Sequence, residues 1–552
     1  MYAGYAVSLP QLPVHMYCLL VHTPACSLHS DSMRTQRVAD TCRSVLLIVA
    51  DDMQPQDVGA LRSTTAPLLK AKRARHLPRS LRTPALDSLV EHGVAVARAY
   101  SPHAMCTPAR AAILTGRLQS RNANVVWRAR NRTGRHRSAQ LDAAYASGRV
   151  APHVDFGAVL GGQPTTLASG LRSAGFATGM FGKWHVHGWS TALEQRLCAG
   201  GGRRVWTASS LEEVQSAVRS AGFDDVGALY PCNLPAAGAY THNLDWIVER
   251  TQLFMEAARE RRWFAYVGLT LLHSPFAWKA LQAQTPRMPF QGPGSPGPLA
   301  AKLRNQSRAL VAQALEMDGL RPLEHEGDAS SSWDRHYLAG LLWIDHSVGA
   351  LLEALVERGA ETDTLVVFTS DHGREGKYSC YEHGIRVPLV FRWPAGIGRG
   401  VVLRDELASH VDLMPTLFAA AGLGHVNSGD GRSLLPVLQR GAARGARRRQ
   451  RVFCETYFDR AAIGLAHKLV WRRHDPHRAI MARGGAQAYR EPRAWNSSAL
   501  QLYNLSADPY ERDNLLLTGD TATGPPGRLQ LRDVRWLWRA LQSHVNETDV
   551  FV

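Results

Sequence analysis

Residues 45–50 read Val-Leu-Leu-Ile-Val-Ala, an unbroken aliphatic run that ends on two carboxylates, Asp51 and Asp52. A strand with one wet face alternates apolar and polar residues. A run with no polar break needs apolar cover on both faces, as a parallel strand has inside a sheet wrapped by helices. In open α/β sheets ligands bind beyond the C-terminal strand ends, where this sequence puts its two aspartates. The same grammar recurs at residues 364–369, Thr-Leu-Val-Val-Phe-Thr, followed by Asp371 and His372. It recurs again at residues 263–269, followed closely by His273. Helical signals lie between these runs: apolar spacing over 333–358 that stops at Gly359, and a short helix over 165–174 ended by Gly175. The alternation predicts an α/β fold, a large doubly wound mixed sheet flanked by helices.

The chain has 552 residues, 45% of them hydrophobic, enough for more than one domain. Residues 1–43 form a poorly defined N-terminal segment, a candidate targeting region, and 44–438 the main domain. Residues 439–451, with six arginines between 440 and 451, read as an exposed linker. Residues 452–552 read as a smaller C-terminal α+β domain, with a strand-like piece at 467–471 and a terminal helix at 529–545. Two stretches look like insertions outside the core: 121–162, polar and Arg-rich, and 280–326, which contains the turn-rich Gln-Gly-Pro-Gly-Ser-Pro-Gly-Pro. The apolar stretch 14–26 lacks a clean basic start, so it makes a poor signal peptide, and Met33 is an alternative start. No uninterrupted apolar run approaches membrane-spanning length, so no transmembrane segment is expected.

The formal net charge of +17 favours anionic partners: sulfated or carboxylated glycans, nucleic acid or acidic membrane surfaces. Biased coding that enriches arginine, alanine and glycine together would give the same balance. The eight cysteines contain no CxxC pair and no zinc-ligand spacing. Cys198 and Cys232 flank one inserted segment and are the expected disulfide if the chain matures in an oxidising compartment. Five Asn-x-Ser/Thr sequons, at Asn131, Asn305, Asn496, Asn504 and Asn546, would accept glycans on that route.

The segment Ser101–Arg117, Ser-Pro-His-Ala-Met-Cys-Thr-Pro-Ala-Arg-Ala-Ala-Ile-Leu-Thr-Gly-Arg, closely resembles the modification motif of the sulfatase family, with Cys106, Pro108, Arg110, Leu114, Thr115, Gly116 and Arg117 in register. The resemblance implies a formylglycine at Cys106, made by a formylglycine-generating enzyme that acts on the unfolded chain. A hydrated aldehyde carries two hydroxyls on one carbon: one can attack sulfur, and the other can lose its proton to expel the sulfate. The family pairs such a group with one divalent metal, and the matching ligands are Asp51, Asp52, Asp371 and His372 together with Cys106. Three carboxylates suit calcium or magnesium, with calcium preferred, and one histidine also permits manganese. The segment 175–185, Gly-Phe-Ala-Thr-Gly-Met-Phe-Gly-Lys-Trp-His, is similar to the second family signature and implies that Lys183 contacts sulfate and His185 supports the formylglycine. Residues 376–394 nominate Lys377 as a second sulfate-binding lysine, and His383 stands where a glycine is common. His273 matches the residue that protonates the leaving alcohol, and Arg110 the one that holds the formylglycine. Tyr240, His242 and His383 are expected around the approach to the pocket.

The resemblance extends from about Val45 to the C-terminal stretch Leu502–Leu516 and implies an alkaline phosphatase-like fold. The implied activity is a sulfuric ester hydrolase acting on sulfated glycans or small aryl sulfates, secreted or lumenal in the secretory and lysosomal route. Phosphoryl transfer is a runner-up from the same fold group, which typically uses serine or threonine as nucleophile. A non-catalytic glycan binder is a second alternative. Nucleic-acid binding has only charge in its favour, and no such module is present, so no nucleic-acid partner is expected. Mass spectrometry of the peptide across Cys106 tests the first of these expectations: an aldehyde should replace the thiol, and an unmodified cysteine in active protein would contradict it.

Overall fold

The computed structural model describes residues 41–64, 82–121, 160, 165–186, 193, 207–233, 241–274, 277–283, 295–317, 329–377, 379–424, 429–440, 448–456, 459–472, 500–516 and 528–548. The large sheet has eight strands: β1 (Ser44–Ala50), β2 (Val94–Tyr100), β3 (Ala177–Lys183), β4 (Asp225–Tyr230), β5 (Trp263–Gly268), β6 (Thr364–Ser370), β7 (Leu389–Arg392) and β8 (Val401–Ser409). They lie in the order β4-β3-β5-β1-β6-β7-β2-β8. Every pairing is parallel except those of β7, which runs against both β6 and β2, so the sheet is mixed as expected.

The aliphatic run of β1 is covered on both faces. Leu46, Ile48 and Ala50 join one apolar cluster, and Val45, Leu47 and Val49 join another across the sheet. That is the period-two consequence of a pleated strand with helices above and below. β1 pairs with β6 from Ser44↔Thr364 to Ala50↔Ser370, so Asp51 and Asp371 leave the sheet side by side. β5 flanks β1 on its other side and leads toward His273. The expected helices are present as Leu167–Ser173 and Ala329–Glu357, stopped by Gly175 and Gly359 in left-handed conformations. Within the second, His336–Glu357 is long and apolar enough to cross a membrane by composition, yet 67% of its most apolar window is buried inside the protein, as in a core helix.

One expectation fails. Residues 298–317, placed in an insertion outside the core, form a 20-residue helix, Pro298–Met317. Ala300, Leu303, Val311 and Leu315 on it are buried in the main cluster. The Gly/Pro-rich run ahead of it is helix-start punctuation, with Pro298 at the first helical position. Glu249 takes the free backbone N–H groups of Gly297 (2.7 Å) and Ala300 (3.0 Å), doing a cap's work from a neighbouring helix. Of the other expected insertion, 122–159 and 161–164 lie outside the described residues.

The C-terminal part is a four-stranded antiparallel sheet in the order β12-β11-β10-β9: β9 (Val452–Thr456), β10 (Asp459–Ile463), β11 (His467–Arg472) and β12 (Leu500–Asn504). Helix Arg528–Thr548 lays Leu537 and Leu541 on one face, against Ala462, Leu469 and Leu502. Val452, Cys454 and Val470 on the sheet pack with Tyr100, Ala104, Tyr381 and Ile385 of the larger part. Cys232 is disulfide-bonded, and Cys198, its expected partner, lies outside the described residues.

β3 and β5 approach so closely near the site that a Cβ on Gly182 would sit 2.0 Å from the Gly268 carbonyl oxygen, at a φ of +95°. Gly175, at φ +87°, has open space around its would-be Cβ. Replacing Gly182 by Ala should therefore destabilise the fold by clearly more than Gly175→Ala, which adds only backbone strain on the order of 1 kcal/mol. Urea unfolding midpoints read the difference, and equal midpoints for the two variants would contradict the packing described.

Candidate active site

Cys106 is the first residue of helix Cys106–Thr115, all ten residues of which are buried. The helix ends at Gly116 in the left-handed region, φ 64°. Its start lies beside Asp51 and His372 at the C-terminal strand ends, where helix N–H groups favour negative charge. One ligand atom from each of Asp51, Cys106, Asp371 and His372 falls in a group whose members all lie within 4.8 Å of one another. Cys106 Sγ is 3.2 Å from His372 Nε2 and 3.8 Å from Asp51 Oδ1. His372 Nδ1 is 2.8 Å from the Gly373 carbonyl oxygen, an acceptor only, so this nitrogen carries a proton and Nε2 turns toward the cluster.

Asp52 stands beside that group. Its backbone is in the left-handed region, φ 61°, and its Oδ1 lies 2.9 Å from Lys377 Nζ and 3.4 Å from His372 Nδ1. Arg110 is wholly buried and spends its guanidinium on four groups. Nε and Nη2 reach Asp371 Oδ2 (3.1 and 3.0 Å), Nη2 lies 3.7 Å from Asp51 Oδ2, and Nη1 donates to the Lys183 carbonyl (3.2 Å) and the Tyr266 hydroxyl oxygen (3.3 Å). Lys183, at the end of β3, donates from Nζ to Asp51 Oδ2 and to Asn233 Oδ1, the latter at 2.6 Å. Three carboxylates thus meet three fixed cations in these contacts.

The charges shift each other as this geometry requires. Burial alone would raise the Asp51 carboxyl, but Lys183, His273, Arg110 and Lys377 together hold it well below the usual carboxylate range. Burial likewise opposes the ionised form of Asp52, and Lys377, His273 and His372 overcome it and lower it. Burial and then Lys377 press His273 down to about 4, against the pull of Asp52. Burial works against a charged His372 too, yet Asp371, the Cys106 side chain and Asp52 push it up to about 9. Lys377 is raised, since Asp52 outweighs its desolvation.

His273 is only partly buried, and its Nδ1 lies 2.7 Å from the Ser274 carbonyl oxygen. His185 sits two residues beyond Lys183, also partly buried, with a left-handed φ of 48°. Of the residues expected around the approach, His242 is fully buried and bonds Thr270 Oγ1 (2.8 Å) instead of lining a rim. His383 packs edge-on against Tyr510, and its carbonyl oxygen accepts from Gln54. Tyr240 lies outside the described residues. Sequence reading missed Asn233 and Tyr266. Tyr266 falls on the face of β5 opposite the alternate residues Ala265 and Val267, so strand periodicity could have nominated it. Asn233 lies in a loop with no pattern to single it out.

The sulfatase family model matches residues 43–423, and a model of the N-sulphoglucosamine sulphohydrolase C-terminal region matches 370–523. Human arylsulfatase A is 28% identical over 513 residues, covering 88% of this chain and 85% of that protein. Mouse steryl-sulfatase is 27% identical over 476 residues, covering 75% of this chain and 67% of that protein. A solved structure from Bacteroides thetaiotaomicron, described in the context of glycosaminoglycan metabolism, superposes with a TM-score of 0.58 at 17% identity, over 92% of this chain and 97% of its own. With a family model covering well over half of its length, this chain belongs to the sulfatase family and is a sulfuric ester hydrolase.

Proposed function

We propose that the chain hydrolyses sulfate esters at a formylglycine made from Cys106, beside one divalent cation held by Asp51, Asp52, Asp371 and His372. The observation that carries this reading is the convergence of Asp51, Cys106, Asp371 and His372 within 4.8 Å. The donor set fits a hard cation: carboxylate oxygens plus one imidazole whose Nε2 faces them, with calcium preferred and magnesium or manganese compatible. When bound, such a cation supplies Lewis-acid polarisation and lowers the pKa of a coordinated hydroxyl. The formylglycine hydrate supplies a hydroxyl nucleophile and a second hydroxyl for release of sulfate. Cys106 is 2% exposed, which supports its conversion before the helix packs, on the unfolded chain.

The protein's own groups fix charge and protons. Lys183 and Lys377 approach the cluster from two sides and would hold the anionic sulfate, where fixed cations are worth most because water is excluded. His185 would support the formylglycine from its place beyond Lys183. His273 would protonate the leaving oxygen. Burial and Lys377 keep that ring neutral in the free protein, and an anionic ester seated against Lys377 would offset the lysine's repulsion and draw a proton on. Arg110 bridges Asp371, Asp51 and the backbone of Lys183, so it sets the spacing between the acidic cluster and the sulfate lysine.

Sulfated glycans are the substrate class we favour. The net charge of +17 suits a polyanion, and a fold relative comes from glycosaminoglycan metabolism, while the names of other relatives point to aryl and steryl sulfates. The bonded state of Cys232 and the exposed sequon at Asn305 support maturation in the secretory route.

Turnover of an aryl sulfate and of a panel of sulfated sugars should vanish with Cys106→Ala. A variant that still hydrolyses them, or wild-type protein that turns over phosphate esters faster than sulfate esters, would contradict the reading. Arg110→Met should cost about 3–5 kcal/mol of stability, because it strips buried Asp371 of its partner. Arg110→Lys should recover little, since one ammonium cannot span the four contacts. Unfolding midpoints and kcat/KM read both, and a stable, active Arg110→Met would refute the role given to Arg110.

A further inference from the structure

A second cleft lies where the larger sheet meets the C-terminal part. It is a cavity of 170 Å³ walled by the segment after the Cys106 helix, the end of β8, the start of β9 and helix Arg528–Thr548. That volume is well below the roughly 300–1,000 Å³ of pockets for drug-sized ligands, so it suits a single small group.

The charges around it pair off with one exception. Arg121 Nε bonds Asp430 Oδ1 at 3.0 Å. Arg449 is used up: Nη1 grips both oxygens of Asp412, Nη2 donates to the Asp430 carbonyl (3.2 Å) and Nε to the Arg451 carbonyl (3.2 Å). His544 Nε2 lies 2.7 Å from Glu455 Oε1, and the same carboxylate accepts from the Ser120 hydroxyl (2.6 Å) and backbone N–H (3.0 Å). Arg451 alone has no carboxylate among the described residues. Its guanidinium lies over the Trp536 ring at 5.3 Å and within 6.0 Å of the Phe453 ring. Aromatic faces hold a planar guanidinium by its face and leave its N–H edges free for an oxyanion. Ser409, also on the cavity wall, is 2% exposed; its Oγ faces the Asp412 backbone N–H in a capping box, and its hydroxyl proton has no acceptor among the described residues. A buried hydroxyl proton without an acceptor costs free energy, and a ligand that accepts it removes that cost.

We propose that this cleft is a second anion-binding site, which takes one oxyanion group, a sulfate, phosphate or carboxylate, between the Arg451 guanidinium and the Ser409 hydroxyl. It is separate from the Cys106 cluster. Leu118 and Arg121 follow the ten-residue helix that begins at Cys106, so about 15 Å of helix lies between the two sites. The two sites stand at opposite ends of one buried element, each with its own cations.

Isothermal titration of inorganic sulfate, phosphate and acetate into the full chain, at fixed ionic strength, tests the proposal. Wild-type protein should show two saturable sulfate sites. Lys183→Met should remove one and spare the other. Arg451→Met should weaken the other by tenfold or more, and Ser409→Ala by several-fold, while both keep wild-type kcat/KM on an aryl sulfate. The acetate and phosphate arms decide whether a carboxylate or a tetrahedral anion is preferred. A single sulfate site in the wild type would overturn the proposal, as would two unchanged sites in active, folded Arg451→Met and Ser409→Ala. Loss of neither site in Lys183→Met would count against the active-site reading alone.

Discussion

The site rests on the neutralisation of carboxylates that the sheet forces into the interior. Asp51 and Asp371 leave adjacent parallel strands at the same level and are both fully buried. Two bare carboxylates so placed would repel each other and lose their hydration, at a cost of several kcal/mol per ion. Arg110 and Lys183 answer that cost directly, and Lys377 does the same for Asp52. The cations proposed to hold the sulfate ester are therefore also the ones that make the acidic cluster tolerable. On that proposal folding and binding draw on the same groups, with each lysine fixed before substrate arrives and little reorganisation left for the reaction.

The smaller sheet gives that arrangement a second support. The segment carrying Lys377 runs into Tyr381 and Glu382, and both are fastened from the C-terminal part. Lys468 on β11 bridges Glu382 (2.8 Å) and Glu511 (2.7 Å) with its side chain wholly buried. Tyr381 donates to Gln501 on β12 at 2.6 Å, and the Glu382 N–H donates to Glu511 at 2.7 Å. A lysine buried without partners would lose its charge, and two carboxylates hold this one ionised. The C-terminal strands thus brace a loop of the site, which accounts for the apolar contact between Tyr381 and Tyr503 across the junction.

Much of this was legible from local pattern. The aliphatic runs of β1, β5 and β6 carry their own reason for being parallel and buried, and the pairs Asp51–Asp52 after β1 and Asp371–His372 after β6 follow from strand ends. The segment around Cys106 was legible as a motif, though not as a helix. What pattern could not reach was set by distant partners. Helix Pro298–Met317 hides behind a Gly/Pro run, and its start is capped by Glu249, some fifty positions away in the chain. Asn233 reaches Lys183 from a loop whose sequence carries no periodicity. His242 looked like a rim residue and is instead bonded to Thr270 inside the core, because a polar side chain can be buried wherever one good partner waits.

The proposed cation would be shared by Asp51, Asp52, Asp371 and His372 beside Cys106. Metal analysis of the purified protein tests it most directly, by elemental mass spectrometry on wild type and on Asp51→Asn and Asp371→Asn. One divalent ion per wild-type chain is expected, with a large fall in occupancy for both variants. Wild-type protein that retains no divalent ion after equilibration with calcium, magnesium or manganese would contradict it, as would full occupancy in both variants.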